Sequence, residues 1–249
     1  MIKGIETFKA YFHDYKEQYV LIGGAACDLI FEDVDGDFRA TKDLDMVLIA
    51  EALTPEFGKR FWEFIQDGGY EHRAKSNGSP QFFRFDKPKN ADYPYMIELF
   101  SKTSTVIEDV EHGCIPLHLG DEISSLSAIL LTSTYYQLLL TGKAVINDVV
   151  ILSSQNLIPF KAKAWLDLSE RKAQGHHVDE RDIKKHKNDV VRLTVVLSGS
   201  ERCELPTEIK SDMEQFVAHL EKAPVDPKTL KISGISFDDI MHVLRKVYL

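Results

Sequence analysis

The sequence predicts a chain in two halves, an α/β (α+β) domain with a mixed sheet followed by a mainly helical domain. Two observations carry this reading. Up to about residue 100, short β-prone runs alternate with turn residues and helical stretches, whereas past Leu157 apolar residues recur at helical spacing. A boundary near 155 divides the chain into domains 1–154 and 155–249, and 249 residues suffice to bury a sizeable core.

Residues 1–18 read as an amphipathic helix, with Ile5, Phe8, Tyr11, Phe12 and Tyr15 on one side. Tyr19-Val20-Leu21-Ile22 reads as a buried strand broken by Gly23-Gly24, and Ala25 to Phe31 has a helical composition. Glu32 to Asp37 is an acidic turn; it lacks the twelfth-position carboxylate of a calcium loop and reads as solvated. A second strand starts at Asp43. Thr54-Pro55 is a helix start with Thr54 as N-cap, and Phe57, Phe61, Phe64 and Ile65 form the apolar face that ends at Gly68-Gly69.

Three further strands are read around 70–73, 81–85 and 95–100, joined by turn-rich segments that suit antiparallel neighbours. From 115 to 153 short apolar runs alternate with polar turns, a pattern compatible with strands or helices. Helices follow from about 157, over about 178–197, after Pro206, and over 237–248.

The composition sets further bounds. No apolar run reaches the length of a membrane span and the first residues lack a signal-peptide core, so a soluble, cytoplasmic protein is expected, without a membrane partner. Cys27, Cys114 and Cys203 have no metal-ligand spacing and read as reduced thiols. The net charge of −9 argues against sequence-blind nucleic-acid binding by the whole surface. Residues 159–192 nevertheless hold nine Lys and Arg against six Asp and Glu, a local basic bias that suits a polyanion.

The chemistry is concentrated in two stretches. Gly23-Gly24 at a strand-to-helix turn places backbone N–H groups where they attract an anion. In Asp43-Leu44-Asp45 the two carboxylates, at i and i+2 of a strand, share a face and repel each other unless a cation lies between them, the way Mg²⁺ is held beside phosphates. Glu98, the lone charge of its strand, would supply a third carboxylate, as a metal ligand or as the base toward an acceptor hydroxyl. Arg39, Thr41 and Lys42 are candidates for positioning phosphates, and Arg84 is a weaker one.

The order Gly-Gly, Asp-x-Asp, later acid resembles the nucleotidyltransferase superfamily that includes DNA polymerase β. More closely, Ile22-Gly23-Gly24-Ala25 with Arg39-x-Thr41-x-Asp43-Leu44-Asp45 resembles the AbiEii-type nucleotidyltransferases, the toxin half of type IV toxin–antitoxin pairs. In the helical half Lys161-Ala162-Lys163-Ala164 matches a Lys-x-x-Ala motif of that family. Lys185-His186-Lys187-Asn188-Asp189 stands where the family has Asp-x-x-Asp, with His186 in place of the first acid.

The resemblance implies two Mg²⁺ ions on Asp43, Asp45 and Glu98. It also implies an NTP substrate held by Gly23, Gly24, Arg39, Thr41, Lys161, His186 and Asp189, with an RNA acceptor such as a tRNA 3′ end and an antitoxin partner. Beside this stand a protein or small-molecule hydroxyl as acceptor, and a nucleotide- or partner-binding module without turnover. For His186 a core-edge histidine is the structural reading, and for Asp189 a helical ion pair with Lys185.

Overall fold

The structure, a computed structural model, describes residues 2–39, 41–74, 80–101, 106–109, 113–116, 129, 132–199 and 202–249. The chain forms two compact units, Met1–Ile123 with Lys143–Ser153, and Ser124–Gly142 with Ser154–Leu249. The short segment Ser124–Gly142 groups with the helical unit and Lys143–Ser153 with the first.

The first unit contains α1 (Ile5–Phe12), β1 (Tyr19–Ile22), α2 (Gly23–Asp33), β2 (Asp43–Leu48), α3 (Pro55–Gly68), β3 (Glu71–Ala74), β4 (Pro80–Asp86) and β5 (Met96–Ser101). It continues through β6 (Val106–Asp109) and β7 (Gly113–Pro116); after the second unit's α4 (Ser133–Thr141), β8 (Lys143–Ile146) and β9 (Val149–Leu152) complete it. Among the described residues seven strands make one mixed sheet in the order β3-β4-β5-β2-β1-β9-β8, and β6 and β7 pair separately. β1 runs antiparallel to β2, whereas β2 and β5 are parallel.

Register divides the sheet into two chemically different faces. Leu21 pairs with Met46, Leu44 with Ile97, and Ile97 with Phe85, so these apolar side chains share one face. That face is closed by an aromatic cluster from α1 and α3. Phe12 packs on Tyr19, Phe57, Phe61 and Phe64, and Phe61 meets Phe85 edge-on with centroids 5.6 Å apart. Burying each such ring contributes about 1.5–3 kcal/mol, which fixes the register of β1, β2, β4 and β5. The opposite face carries Ile22, Asp43, Asp45, Arg84, Asp86, Met96 and Glu98 in matching register.

Helix ends follow the sequence chemistry. Thr54 Oγ1 accepts from the Phe57 N–H at 3.2 Å, Pro55 opens α3, and Gly69 closes it at φ 62°. The N-terminal helix is shorter than expected: it ends at Phe12 and gives way to a 3₁₀ turn, His13–Tyr15. Its start is set by Gly4, at φ 79° and packed on the Tyr93–Pro94 backbone, where no side chain fits.

The ambiguous stretch resolves into β7, α4, β8 and β9, and β6 is an additional strand. The tight turn between β8 and β9 has Asn147 and Asp148 both at positive φ, a hairpin signal within that stretch. Of the turn expected at 77–80, Pro80 opens β4 and residues 77–79 lie outside the described residues, as do 117–119 and, of the apolar run 128–131, all but Ile129.

The second unit contains α4, α5 (Ser154–Ala173), α6 (Glu180–Val195), α7 (Thr207–Lys222), a 3₁₀ turn at Pro227–Leu230 and α8 (Phe237–Tyr248). Its core includes Tyr135, Phe160, Val190, Leu193, Phe216, Ile240 and Leu244, all buried. α6 is tighter than the expected 178–197 because Asp179 caps it, accepting from the Arg181 N–H at 2.8 Å. α8 starts with a reciprocal capping box between Ser236 and Asp239.

Candidate functional site

The strand-to-helix turn forms as the glycine pair requires. β1 is buried along its length, Gly23 takes φ 69°, and α2 begins there with Ile22 as an N-cap that offers no side-chain bond. The first turn of α2 carries no acidic residue. A helix start of this kind presents backbone N–H groups and the positive end of the helix dipole to an anion.

Close packing explains why both positions are glycine. A Cβ on Gly23 would stand 2.6 Å from Cγ of Asp45 and closer still to its Oδ2. On Gly24 it would stand 2.6 Å from Thr41 Oγ1 and 3.4 Å from an Arg39 guanidinium nitrogen. Gly23, Gly24, Arg39, Thr41 and Asp45 are thus brought together around one turn. A carboxylate, a hydroxyl and a guanidinium face the start of α2.

The acids line up across three strands. Asp43 and Asp45, both half-buried, lie on one face of β2, and Asp45 is paired with Ile22 of β1 and with Glu98 of β5. Glu98 is in turn paired with Arg84 of β4. Arg84 Nε donates to Glu98 Oε1 at 2.6 Å, and its Nη2 bonds the same oxygen. Among the described residues, no three His, Cys, Asp or Glu side chains are grouped closely enough to hold a metal ion. The aspartates and Glu98 therefore share a face, with Glu98 engaged by a guanidinium.

Two positions stand out beyond those read as strong candidates. Arg84, weakly weighted in the sequence, is the direct partner of Glu98. Asp86, buried and two residues further along β4, lies on the same face opposite Met96. The alternation Phe83-Arg84-Phe85-Asp86 is the signal for both, since it puts the two charged residues on one side of a strand. Nearby, Lys42 Nζ lies 5.7 Å from the ring centre of the exposed Tyr95, and the Arg39 guanidinium lies 5.1 Å from that of Phe38.

In the helical unit the expected residues form an interior cluster. Lys161 and Asp189 are both buried, and Lys161 Nζ donates to Asp189 Oδ2 at 3.1 Å. Arg192 approaches Oδ1 of Asp189 at 3.8 Å, and His186 is buried one turn earlier on α6. The ion pairs of Asp189 thus run to Lys161 across to α5 and to Arg192 along α6.

A second polar network joins α4, α5 and α7. Lys163 bridges Asp167 and Asp212 at 3.3 Å each, and the Tyr135 hydroxyl donates to Asp212 at 2.9 Å. Burial works against the Lys163 ammonium, but Asp167 and Asp212 outweigh it and raise its pKa. Burial pushes the Asp167 carboxyl up despite its lysine.

No family model matches the chain, and no curated protein matches it. Among solved structures it is similar to an antigenic nucleotidyltransferase-like protein from Paracoccidioides brasiliensis. The identity is 14%, the likeness covers 99% of this chain and 95% of that one, and the TM-score is 0.47.

Chemically, the glycine turn suits an anion and the aspartate pair suits a hard divalent cation. Having the two side by side, with Asp45 against Gly23, suits a ligand that is both polyanionic and metal-bound. Among the described residues no helix is long and apolar enough to cross a membrane.

Proposed function

We propose that this chain is a Mg²⁺-dependent nucleotidyltransferase, which moves a nucleoside monophosphate from an NTP to an acceptor hydroxyl and releases pyrophosphate. The observation that carries the reading is the packing of the Asp45 carboxylate on Gly23 at the start of α2, where the N-cap Ile22 offers no side-chain bond, with Asp43 on the same strand face.

The fit to Mg²⁺ rests on donor chemistry. Asp43 and Asp45 offer hard oxygens on one face of β2, half-buried and next to the anion-binding turn. They would hold the metal, and Glu98 would join once its carboxylate is released by Arg84. When bound, Mg²⁺ supplies charge neutralisation at the phosphates and at the attacking and leaving oxygens.

The chain's own groups do the rest. The N–H groups of Gly23 and Gly24 cradle the β- and γ-phosphates, and Thr41 and Arg39, which flank Gly24, orient them. The acceptor oxygen forms its bond to the α-phosphorus as the bond from that phosphorus to the bridging oxygen breaks. The hydroxyl proton passes to a site carboxylate, Glu98 where it is not taken by the metal, and pyrophosphate carries away the electron pair.

RNA, such as a tRNA 3′ end, is the acceptor we favour, on the basic bias of 159–192 and the AbiEii-type motif residues; a toxin role with an antitoxin partner rests on those motif residues alone. A second reading, a nucleotide-binding module without turnover, is favoured by one observation, the engagement of Glu98 by Arg84. Pyrophosphate release separates the two. Incubation with each NTP, Mg²⁺ and fractions of cellular RNA, protein and small molecules should release pyrophosphate with one fraction. Binding of NTP without release from any fraction would favour the module.

A further inference from the structure

Arg84 stands at the end of a row of charged residues that crosses three strands. Asp45, Glu98 and Arg84 stand in one row across β2, β5 and β4, at Cα register Asp45↔Glu98 and Glu98↔Arg84. Adjacent strands lie about 4.8 Å apart, so Glu98 sits one strand from a like charge and one strand from an opposite one. Two N–H groups of Arg84 converge on a single oxygen of Glu98, Oε1.

We propose that Arg84 competes with a divalent cation for the Glu98 carboxylate, so that the Arg84–Glu98 pair sets how tightly the carboxylate face of the sheet binds metal. The inference rests on the reading of Asp43 and Asp45 as metal ligands and adds to it the residue that opposes the third ligand.

Three carboxylates on one face disfavour one another unless a cation offsets them, and a guanidinium offsets them permanently because it does not deprotonate in the working pH range. The Arg84 side chain is 36% exposed and that of Glu98 20% exposed. Such a pair is partly hydrated and weak enough to be exchanged, unlike the fully buried Lys161–Asp189 pair. A divalent ion that takes Glu98 must displace the guanidinium, which then has its fork of N–H donors free for an anionic oxygen.

The test is Mn²⁺ binding by the full-length protein without nucleotide, followed by the electron paramagnetic resonance signal of free Mn²⁺. Arg84→Gln should bind Mn²⁺ roughly tenfold tighter than wild type, the effect of removing one neighbouring unit charge at a few ångström. Glu98→Gln should bind more weakly, and Arg84→Gln/Glu98→Gln no more tightly than Glu98→Gln alone. Arg84→Lys, which keeps the charge and guards against a folding defect in Arg84→Gln, should stay near wild type.

Unchanged affinity in Arg84→Gln overturns the proposal, and so does a gain that survives in the double variant, because the effect then does not act through Glu98. Asp45→Asn is the control for the underlying reading. If it leaves Mn²⁺ binding intact, the metal site itself is wrong and the competition falls with it. If binding depends on Asp45 but not on Arg84, only the competition falls.

Discussion

Gly23 and Asp45 exclude each other's alternatives: the glycine holds φ 69°, and a Cβ there would collide with the aspartate carboxylate. Gly23→Ala must therefore strain the backbone and move Asp45 at the same time. The expected cost is roughly 2–4 kcal/mol, from a left-handed non-glycine residue together with overpacking, read as a lower denaturant midpoint. NTP binding should weaken as well, because the displaced groups form the proposed phosphate cradle. Wild-type stability in Gly23→Ala would contradict the close approach.

The Lys161–Asp189 pair gives a prediction about the helical unit alone. Both side chains are buried, so Lys161→Ala removes from Asp189 an ion pair shielded from water, while Arg192 stays at 3.8 Å. The loss should be about 3–5 kcal/mol, the usual cost of breaking a buried ion pair by removing one partner. Lys161→Met combined with Asp189→Leu should recover most of it, since an apolar pair of similar volume carries no desolvation penalty. Urea unfolding of the two single variants and the double variant checks both statements.

These two sites show what was legible in the sequence. The Gly23-Gly24 turn, the Thr54 cap and the strand with Asp43 and Asp45 follow from local chemistry, because glycine, N-cap residues and period-two alternation act over a few residues. The Arg84–Glu98 pair does not, since strand register is set by the distant aromatic cluster of Phe12, Phe61 and Phe85. The same holds for Asp189: a spacing of four suggests Lys185, yet packing of α5 on α6 supplies Lys161 from 28 residues away. The run Tyr135 to Leu140 is apolar and short, which periodicity alone cannot assign; it forms α4, whereas the equally apolar Val149 to Leu152 forms a strand.

Buried tyrosines predict the alkaline limb of stability. Burial pushes the Tyr19 phenol up to about 12, partly offset by a hydrogen bond with the Val150 backbone, and it raises Tyr70 and Tyr135 further. A phenol whose folded pKa lies above its unfolded value of about 10 stabilises the fold fully below pH 10. That contribution is lost as pH rises from about 10 through 12. Phenolate absorbance during alkaline titration should therefore rise in two stages, exposed tyrosines first, and the second stage should coincide with loss of the circular dichroism signal. Smooth ionisation of all nine tyrosines near pH 10 with the fold intact would contradict the burial of Tyr19 and Tyr135.

Asp43 and Asp45 are the residues on which the proposed nucleotidyl transfer depends most. The most direct measurement compares wild type and Asp45→Asn for transfer of label from an α-phosphate-labelled NTP, with Mg²⁺ and total cellular RNA, protein and small-molecule fractions. Thermal unfolding is followed on the same samples. Labelled acceptor is expected in the wild type and a loss of roughly 10³-fold or more in Asp45→Asn, with the variant still unfolding cooperatively. Equal labelling by a well-folded Asp45→Asn, or no label on any fraction from the wild type, would contradict the proposed role of Asp45.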